Sequence, residues 1–174
     1  KFTARIEGGS FGTINSAAGV SGSQGPVSYA FNVTQFHSGS VPVTPLNTLP
    51  PGQIRNNDAY DNKTYSTKVG VDLSENLTLN FTGRYTEASL DFTGYAAFDP
   101  AFPFGAPAAQ QSNTKTRQLY TRSEAVTSFF DGRWKNYFGV NFTDMTRGNF
   151  DPNGFDFVNF VPLPFTTNHG ERNK

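Results

Sequence analysis

The stretch from Leu77 to Tyr85 reads LTLNFTGRY, and its residues alternate strictly between apolar and polar. Leu77, Leu79, Phe81 and Tyr85 form the apolar set, and Gly83 is the gap in that row. Strict alternation over about nine residues indicates a β-strand with two chemically different faces. At about 3.3 Å per residue, this is also the length that a tilted strand needs to cross a bilayer. We therefore expect one face of this strand to meet lipid and the other to meet water.

The same unit recurs along the chain as an alternating segment, a short turn, a second alternating segment and a long polar loop. It predicts an all-β fold of about seven antiparallel strands, at residues 2–9, 13–21, 27–34, 65–73, 77–85, 116–129 and 134–142. Asp131-Gly132, between the last two strands, is a favoured type I′ hairpin pair. Three long loops, at about 37–63, 94–115 and from 145 onward, alternate with short turns. This asymmetry is typical of outer-membrane barrels, which have short periplasmic turns and long extracellular loops.

After Tyr85 the apolar residues move to the other face of the strand, because Ala88, Leu90 and Phe92 now form the apolar set. Two explanations are open. Either a β-bulge lies near residues 86–87, or the strand has left the bilayer there and no longer needs a lipid-facing side.

Composition excludes several classes of function. Aromatic residues make up 15% of the 174 residues, which argues against a disordered chain. Lys plus Arg equals Asp plus Glu at 14 each, so no overall field attracts nucleic acid, and we expect no nucleic-acid partner. The absence of Cys removes disulfides, zinc-thiolate sites and thiol catalysis. The sequence contains no recognisable catalytic triad, phosphate-binding loop or catalytic carboxylate pair, and we predict that the protein is not an enzyme.

Four stretches carry a family resemblance: ARIEGGSFGT (4–13), GVSGSQGPVSYAFN (19–32), YDNKTYSTKVGVDLSENLTLNFTGRYT (60–86) and LYTRSEAVTSFFDGRWKNYFGVNFTD (119–144). In layout and motif they resemble the TonB-dependent outer-membrane receptors, and within that family the cobalamin (vitamin B-twelve) transporter branch. The resemblance covers roughly residues 2–145, and it specifies the family better than the substrate.

The resemblance implies that residues 1–174 are part of the receptor's barrel domain, an antiparallel up-and-down transmembrane β-barrel, without the plug domain and the remaining strands. It implies a place in the bacterial cell outer membrane, with the lipid bilayer, the plug domain, the TonB complex and a small-molecule nutrient as partners. The implied function is TonB-coupled active uptake of a scarce nutrient, with cobalamin as the first candidate and no required cofactor.

Other functions stay open at this point. A siderophore or other iron complex is the rival substrate within the family, and a passive porin-like or structural barrel is the rival outside it. A soluble β-sandwich lectin is a further alternative. It is disfavoured because the alternate face of the strands carries Thr, Ser, Asn and Gly, as expected of a hydrated lumen.

The cobalamin branch holds calcium in acidic extracellular loops, and the resemblance extends this role to acidic residues of this chain. Asp58, before Ala59-Tyr60, matches the acidic motif; Asp61 lies close to it; and Asp91 or Asp99 corresponds in the next loop. Calcium prefers several charged oxygen ligands, and these loops offer few carboxylates. The alternative is that these residues are solvated loop acids.

Aromatic residues in the same loops are candidates for contact with a large, partly apolar substrate, because they give contact area at low entropy cost. They are Tyr60, Phe98, Phe102 and Phe104. The alternative is that they pack the loops over one another. Arg84, Arg122 and Glu124 are expected to line the lumen and to contact the plug.

Overall fold

The computed structural model describes residues 1–96, 106–152, 155–156, 158–159, 161–162 and 166–173. Their strands are β1 (Phe2–Gly8), β2 (Ile14–Gln24), β3 (Val27–Val41), β4 (Asp58–Ser74), β5 (Leu77–Phe92), β6 (Tyr95–Ala96), β7 (Ala106–Pro107), β8 (Ser112–Phe129), β9 (Trp134–Asp151), β10 (Phe155–Asp156), β11 (Val161–Pro162) and β12 (Thr166–Asn173). One 3-10 helix spans Leu46–Thr48. The all-β prediction is confirmed.

Eight of these strands form one antiparallel sheet in the order β1-β2-β3-β4-β5-β8-β9-β12, while β6-β7 and β10-β11 form two small pairs. The sheet is not closed, since among the described residues β1 pairs only with β2 and β12 only with β9. No second large sheet covers it within the described ranges, so a β-sandwich is not seen. The described part of the chain also contains no helix that is long and apolar enough to cross a membrane.

The predicted count of seven strands is wrong, and the long loops are shorter than expected. β3 continues to Val41 and β4 begins at Asp58, so their loop covers only 42–57. β9 continues to Asp151, and β12 pairs with its second half in the region expected to be a loop. These added segments are rich in polar residues on both faces, so they lack the alternation that reveals a strand. Backbone pairing with a neighbour defines them instead.

The tight turn after β8 follows the sequence prediction. Asp131 and Gly132 have φ values of 52° and 82°, and the Arg133 amide donates a hydrogen bond to the Phe130 carbonyl at 3.1 Å. Positive φ at both central residues is the signature of a type I′ turn. With the β2–β3 and β4–β5 turns, it defines the turn end of the sheet. The opposite end, where the β3–β4 loop and the segment between β5 and β8 meet, is the loop end.

A β-bulge near residues 86–87, one of the two explanations left open, is not present. β5 pairs with β4 and with β8 in uninterrupted register through this point. Shifts of register occur instead between Ser38 and Val41 and between Asp72 and Ser74. The change of apolar face after Tyr85 is therefore a change of environment along a regular strand. Whether the strand leaves a bilayer there stays a prediction.

Residues paired across an antiparallel sheet point to the same face, and this divides the sheet into two surfaces. One row on the first surface is Val33, Tyr65, Tyr85 and Leu119, and another is Tyr29, Val69, Phe81, Ser123 and Val140. We call this surface the apolar face. The opposite surface, the polar face, carries rows such as Asn32, Ser66, Arg84, Tyr120 and Thr143.

The apolar residues form a band that crosses the apolar face obliquely. On β5 the band spans 77–85 and is followed on the same face by Glu87; on β9 it spans 134–142 and is followed by Asp144. Relative to β5, both ends of the band on β9 lie two residues nearer the turn end. Two residues are about 6.6 Å along the strands and two strands are about 9.6 Å across, so the band is inclined by roughly 35°. From β3 to β5 the turn-end boundary of the band also moves toward the turn end. The loop-end boundary stays at the same level on these strands.

The gap in the apolar row at Gly83 is filled by a neighbouring ring. A methyl group at Gly83 would lie 3.0 Å from Thr67 Cγ2 and 3.3 Å from Phe81 Cε1. Gly83 is itself buried, because Phe81 lies over it. The glycine therefore permits a close approach that a larger residue would prevent.

We predict that Gly83→Ala lowers the free energy of unfolding by about 1–3 kcal/mol, because the added methyl group overpacks this contact. Gly139→Ala is the matched control in the same sheet, since its nearest neighbour would lie at an ordinary 3.6 Å. Urea denaturation of the two variants measures the difference. Equal losses in both would contradict the packing described here.

Candidate functional site

The loop between β3 and β4 packs against β7 and the residue that follows it, and side-chain amides of the loop bond to backbone carbonyls there. Gln53 Nε2 donates a hydrogen bond to the Pro107 carbonyl at 2.9 Å, and Asn56 Nδ2 donates one to the Ala108 carbonyl at 3.1 Å. Ala108 is fully buried. Two loops that are 50 residues apart in sequence therefore form one unit at the loop end.

Asp58 lies at the centre of this unit. Its Oδ1 accepts hydrogen bonds from Thr93 Oγ1 at 2.9 Å and from Gln111 Nε2 at 3.0 Å. The residue is only 8% exposed, and its Oδ2 is buried with no hydrogen-bond partner among the described residues. Buried polar atoms normally have partners. A buried carboxylate oxygen without one can accept a further hydrogen bond or coordinate a cation.

A second set of buried polar side chains continues from Asp58 along β8. Ser112 Oγ donates to Asp151 Oδ1 at 2.9 Å, and Thr114 Oγ1 donates to Asn149 Oδ1 at 2.7 Å. Ser112 and Thr114 are both buried, and each lies on the polar face. These bonds fix β8 to β9 beside the loop unit, so the loop end is held by side-chain hydrogen bonds as well as by the strand ladder.

Tyr60, the predicted substrate-contact residue, lies on the polar face at the loop end. Its ring centre is 6.0 Å from that of Phe36, and its hydroxyl accepts a hydrogen bond from Asn62 Nδ2 at 3.1 Å. Tyr60 is partly exposed, so part of the side chain remains available for contact. Phe98, Phe102 and Phe104 lie outside the described residues, and their role stays a prediction.

The structure places two of the predicted calcium ligands, Asp58 and Asp61, on opposite faces of β4. Asp61 is on the apolar face, where its Oδ1 lies 2.7 Å from His37 Nδ1, whereas Asp58 is on the opposite face of the same strand. Asp99 lies outside the described residues. Within the ranges that the structure describes, no three His or acidic side chains form a metal-binding group. The calcium site stays a prediction, with Asp58 as its best-placed residue.

The remaining candidates lie away from the loop end. Arg84, Arg122 and Glu124 are on the polar face of β5 and β8, and Arg122 forms an ion pair with Glu124. That they line a lumen stays a prediction. Sequence reasoning missed Thr93 and Gln111, which donate to Asp58. Single polar residues in irregular segments carry no periodic pattern, so only the folded loops reveal their contact.

We predict that Asp58→Ala lowers the free energy of unfolding by about 1–3 kcal/mol, because it removes the buried carboxylate that accepts hydrogen bonds from Thr93 and Gln111. Asp61→Ala is the matched control: this half-exposed acid pairs with a histidine, and its loss should cost less than about 1 kcal/mol. Hydrogen exchange at the amides of 106–111 should accelerate in the first variant only. Unchanged exchange in Asp58→Ala would contradict an anchoring role.

Comparison of the chain with the profiles of known protein families, with curated protein sequences and with solved structures finds no match. The interpretation of the site therefore depends on its own geometry. That geometry is a buried carboxylate with one unpaired oxygen, held between two loops, next to a partly exposed tyrosine.

Proposed function

We propose that this chain forms part of the wall of a transmembrane β-barrel in the bacterial outer membrane. The barrel is that of a TonB-dependent receptor, which takes up a scarce nutrient by active transport. Cobalamin is the proposed substrate, because the sequence resembles the transporters of that nutrient. The proposal depends above all on one observation, the exposed apolar band on one face of an otherwise polar sheet.

The exposed band is large for a surface that meets water. Val140 is 73% exposed, Phe138 65% and Phe31 47%, and they belong to a continuous surface across the sheet. Soluble proteins rarely expose apolar patches of more than a few hundred Å². Lipid acyl chains would cover this surface without a second protein layer, and the polar face would line a hydrated lumen.

The dimensions of the band agree with those of a bilayer. Nine residues along β5, at about 3.3 Å each and inclined by roughly 35–40°, rise about 20–25 Å, close to the apolar height of outer-membrane barrels. The oblique course of the band supports the same reading, because barrel strands are tilted by about 35–45° to the membrane normal.

Aromatic residues lie at both boundaries of the band. Tyr65 and Tyr85 pair at the loop-end boundary with ring centres 6.4 Å apart, and Phe129 and Trp134 pair at the turn-end boundary. Tyr and Trp prefer the membrane–water interface because they combine an apolar ring with a polar atom. Tyr85 donates its hydroxyl to Glu87 Oε1 at 2.7 Å, on the water side of the band.

The free edges of β1 and β12 support a larger assembly. Unpaired backbone groups in lipid each cost several kcal/mol, so a sheet in a bilayer must close on itself. We therefore propose that further strands of the barrel pair with these two edges. In that arrangement the loop end is extracellular, and the unit around Asp58 and Tyr60 lies where substrate first arrives.

Cysteine labelling tests the membrane orientation, since the chain contains no natural Cys. In the full-length protein reconstituted in vesicles, we expect Asn80→Cys and Thr82→Cys to react with a water-soluble maleimide. Leu79→Cys and Phe81→Cys should react at least about tenfold more slowly, because lipid covers them. A fluorophore attached at either position should be quenched by brominated acyl chains. Equal reactivity at the four adjacent positions would overturn the barrel proposal.

Ligand titration tests the substrate. We expect the full-length protein in detergent to bind cyanocobalamin saturably and about 100-fold more tightly than a ferric siderophore complex, a difference of about 2.7 kcal/mol. Intrinsic fluorescence and equilibrium dialysis measure both affinities. Preference for the iron complex would change the substrate and keep the receptor. Alternating cysteine reactivity with no ligand bound would leave a barrel but overturn the uptake function.

A further inference from the structure

A row of charged residues lies on the apolar face directly beyond the loop-end boundary of the band. Lys63, Glu87 and Arg117 form this row, each two residues beyond Tyr65, Tyr85 or Leu119 on the same strand. Lys115 follows in the next row on β8. Three cations therefore lie together at the margin of an apolar surface.

The carboxylates among these cations already have partners. Glu87 accepts the Tyr85 hydroxyl and lies 3.3 Å from Arg117 Nε, and Asp61 in the next row lies 2.7 Å from His37 Nδ1. In the part of the chain that the structure describes, no carboxylate forms an ion pair with Lys63 or Lys115. A depression of about 200 Å³ lies between these cations. It can receive an additional anionic group.

An apolar cavity begins on the other side of the boundary. Its volume is about 530 Å³, and rings and aliphatic side chains line most of it, among them Phe31, Tyr65, Phe81, Tyr85 and Leu119. The small residues Thr67, Gly83 and Thr121 lie in one row across three strands at its base, where the Phe81 ring covers Gly83. The cavity is thus a trough in the apolar band, and Tyr65, Tyr85 and Leu119 separate it from the cations.

We infer that this surface binds one membrane lipid that carries a phosphate in its headgroup. The acyl chain lies in the trough, and the phosphate contacts Lys63, Lys115 and Arg117. The inference depends on the proposed function, because it needs the apolar face to meet a bilayer. It adds a specific lipid site to that function.

The two adjacent cavities select an amphiphile over a free anion. A free phosphate would use only the cations, and a purely apolar molecule would use only the trough. A phosphorylated lipid uses both, since its headgroup and acyl chains meet at the membrane interface where the cations and the Tyr65–Tyr85 pair lie. Charge complementarity also favours it, because basic residues near a membrane surface attract anionic headgroups.

Native mass spectrometry of the full-length protein in detergent tests the site, with dilauroyl phosphatidylglycerol as the probe. Dilauroylglycerol has the same chains without the phosphate, and inorganic phosphate has no chains. We expect one phosphatidylglycerol molecule to remain bound. The triple variant Lys63→Gln/Lys115→Gln/Arg117→Gln should weaken this binding about 100-fold, because each cation contributes to headgroup attraction.

The matched control is Lys68→Gln/Lys135→Gln/Arg147→Gln, which removes the same charge from exposed positions on the polar face of β4 and β9. It should bind the phospholipid as the unmodified protein does. Equal weakening in the control would overturn the site, as would equal retention of dilauroylglycerol or full competition by inorganic phosphate. Replacing Lys115→Gln by Lys115→Arg in the triple variant should recover part of the affinity. A variant that had lost its fold would not recover it.

The labelling experiment separates failure of this inference from failure of the proposed function. Alternating reactivity along residues 79–82, together with no preference for the phosphorylated lipid, would overturn the lipid site alone. Equal reactivity along the same residues would overturn the barrel and, with it, the reason to expect a lipid.

Discussion

Hydrogen bonds between neighbouring strands hold this structure, because it has very little buried core. Among the described residues, Ala106 and Ala108 are the only buried hydrophobic residues, and both lie in the loop unit rather than in the large sheet. The sheet therefore depends on its backbone ladder and on contacts across each face, such as that of Phe81 with Gly83. A sheet of this kind needs an environment that covers its apolar side, and a bilayer is the environment that the proposed function supplies.

The register between paired strands aligns their alternating residues, and this gives the apolar band a sharp boundary. Each strand alone shows only that apolar and polar residues alternate. Pairing places Tyr65, Tyr85 and Leu119 in one row and Lys63, Glu87 and Arg117 in the next, so the change from apolar to charged occurs at one level on three strands. The change of face after Tyr85 follows from this boundary. Beyond it the former apolar face carries charges, while on the other face Leu90 joins the row of Tyr60 and Thr114.

The loop end has a different construction from the sheet. Side-chain hydrogen bonds connect the segments there, whereas backbone hydrogen bonds connect the strands of the sheet. Gln53, Asn56 and Gln111 donate to backbone carbonyls across the loops. Asp58 accepts hydrogen bonds from Gln111 and Thr93, and its other oxygen is buried with no partner among the described residues. In the proposed receptor, this hydrogen-bonded frame would hold the loops in shape and reduce the ordering entropy that substrate binding would otherwise cost.

The sequence by itself determined the all-β class, the alternating strands and their two faces, and the type I′ turn at Asp131-Gly132, because each of these depends on residues close together in the chain. The eighth strand, the true positions of the register shifts and the separation of Asp58 from Asp61 appeared only in the folded structure. The partners of Asp58, namely Thr93 and Gln111, also appeared only there, because they are distant from it in sequence. The physical reason is that polar strands have no hydrophobic period, and that register, bulges and loop contacts are set by pairing between distant segments. Tertiary structure alone therefore decided where the apolar band ends and which side chains meet at its margin.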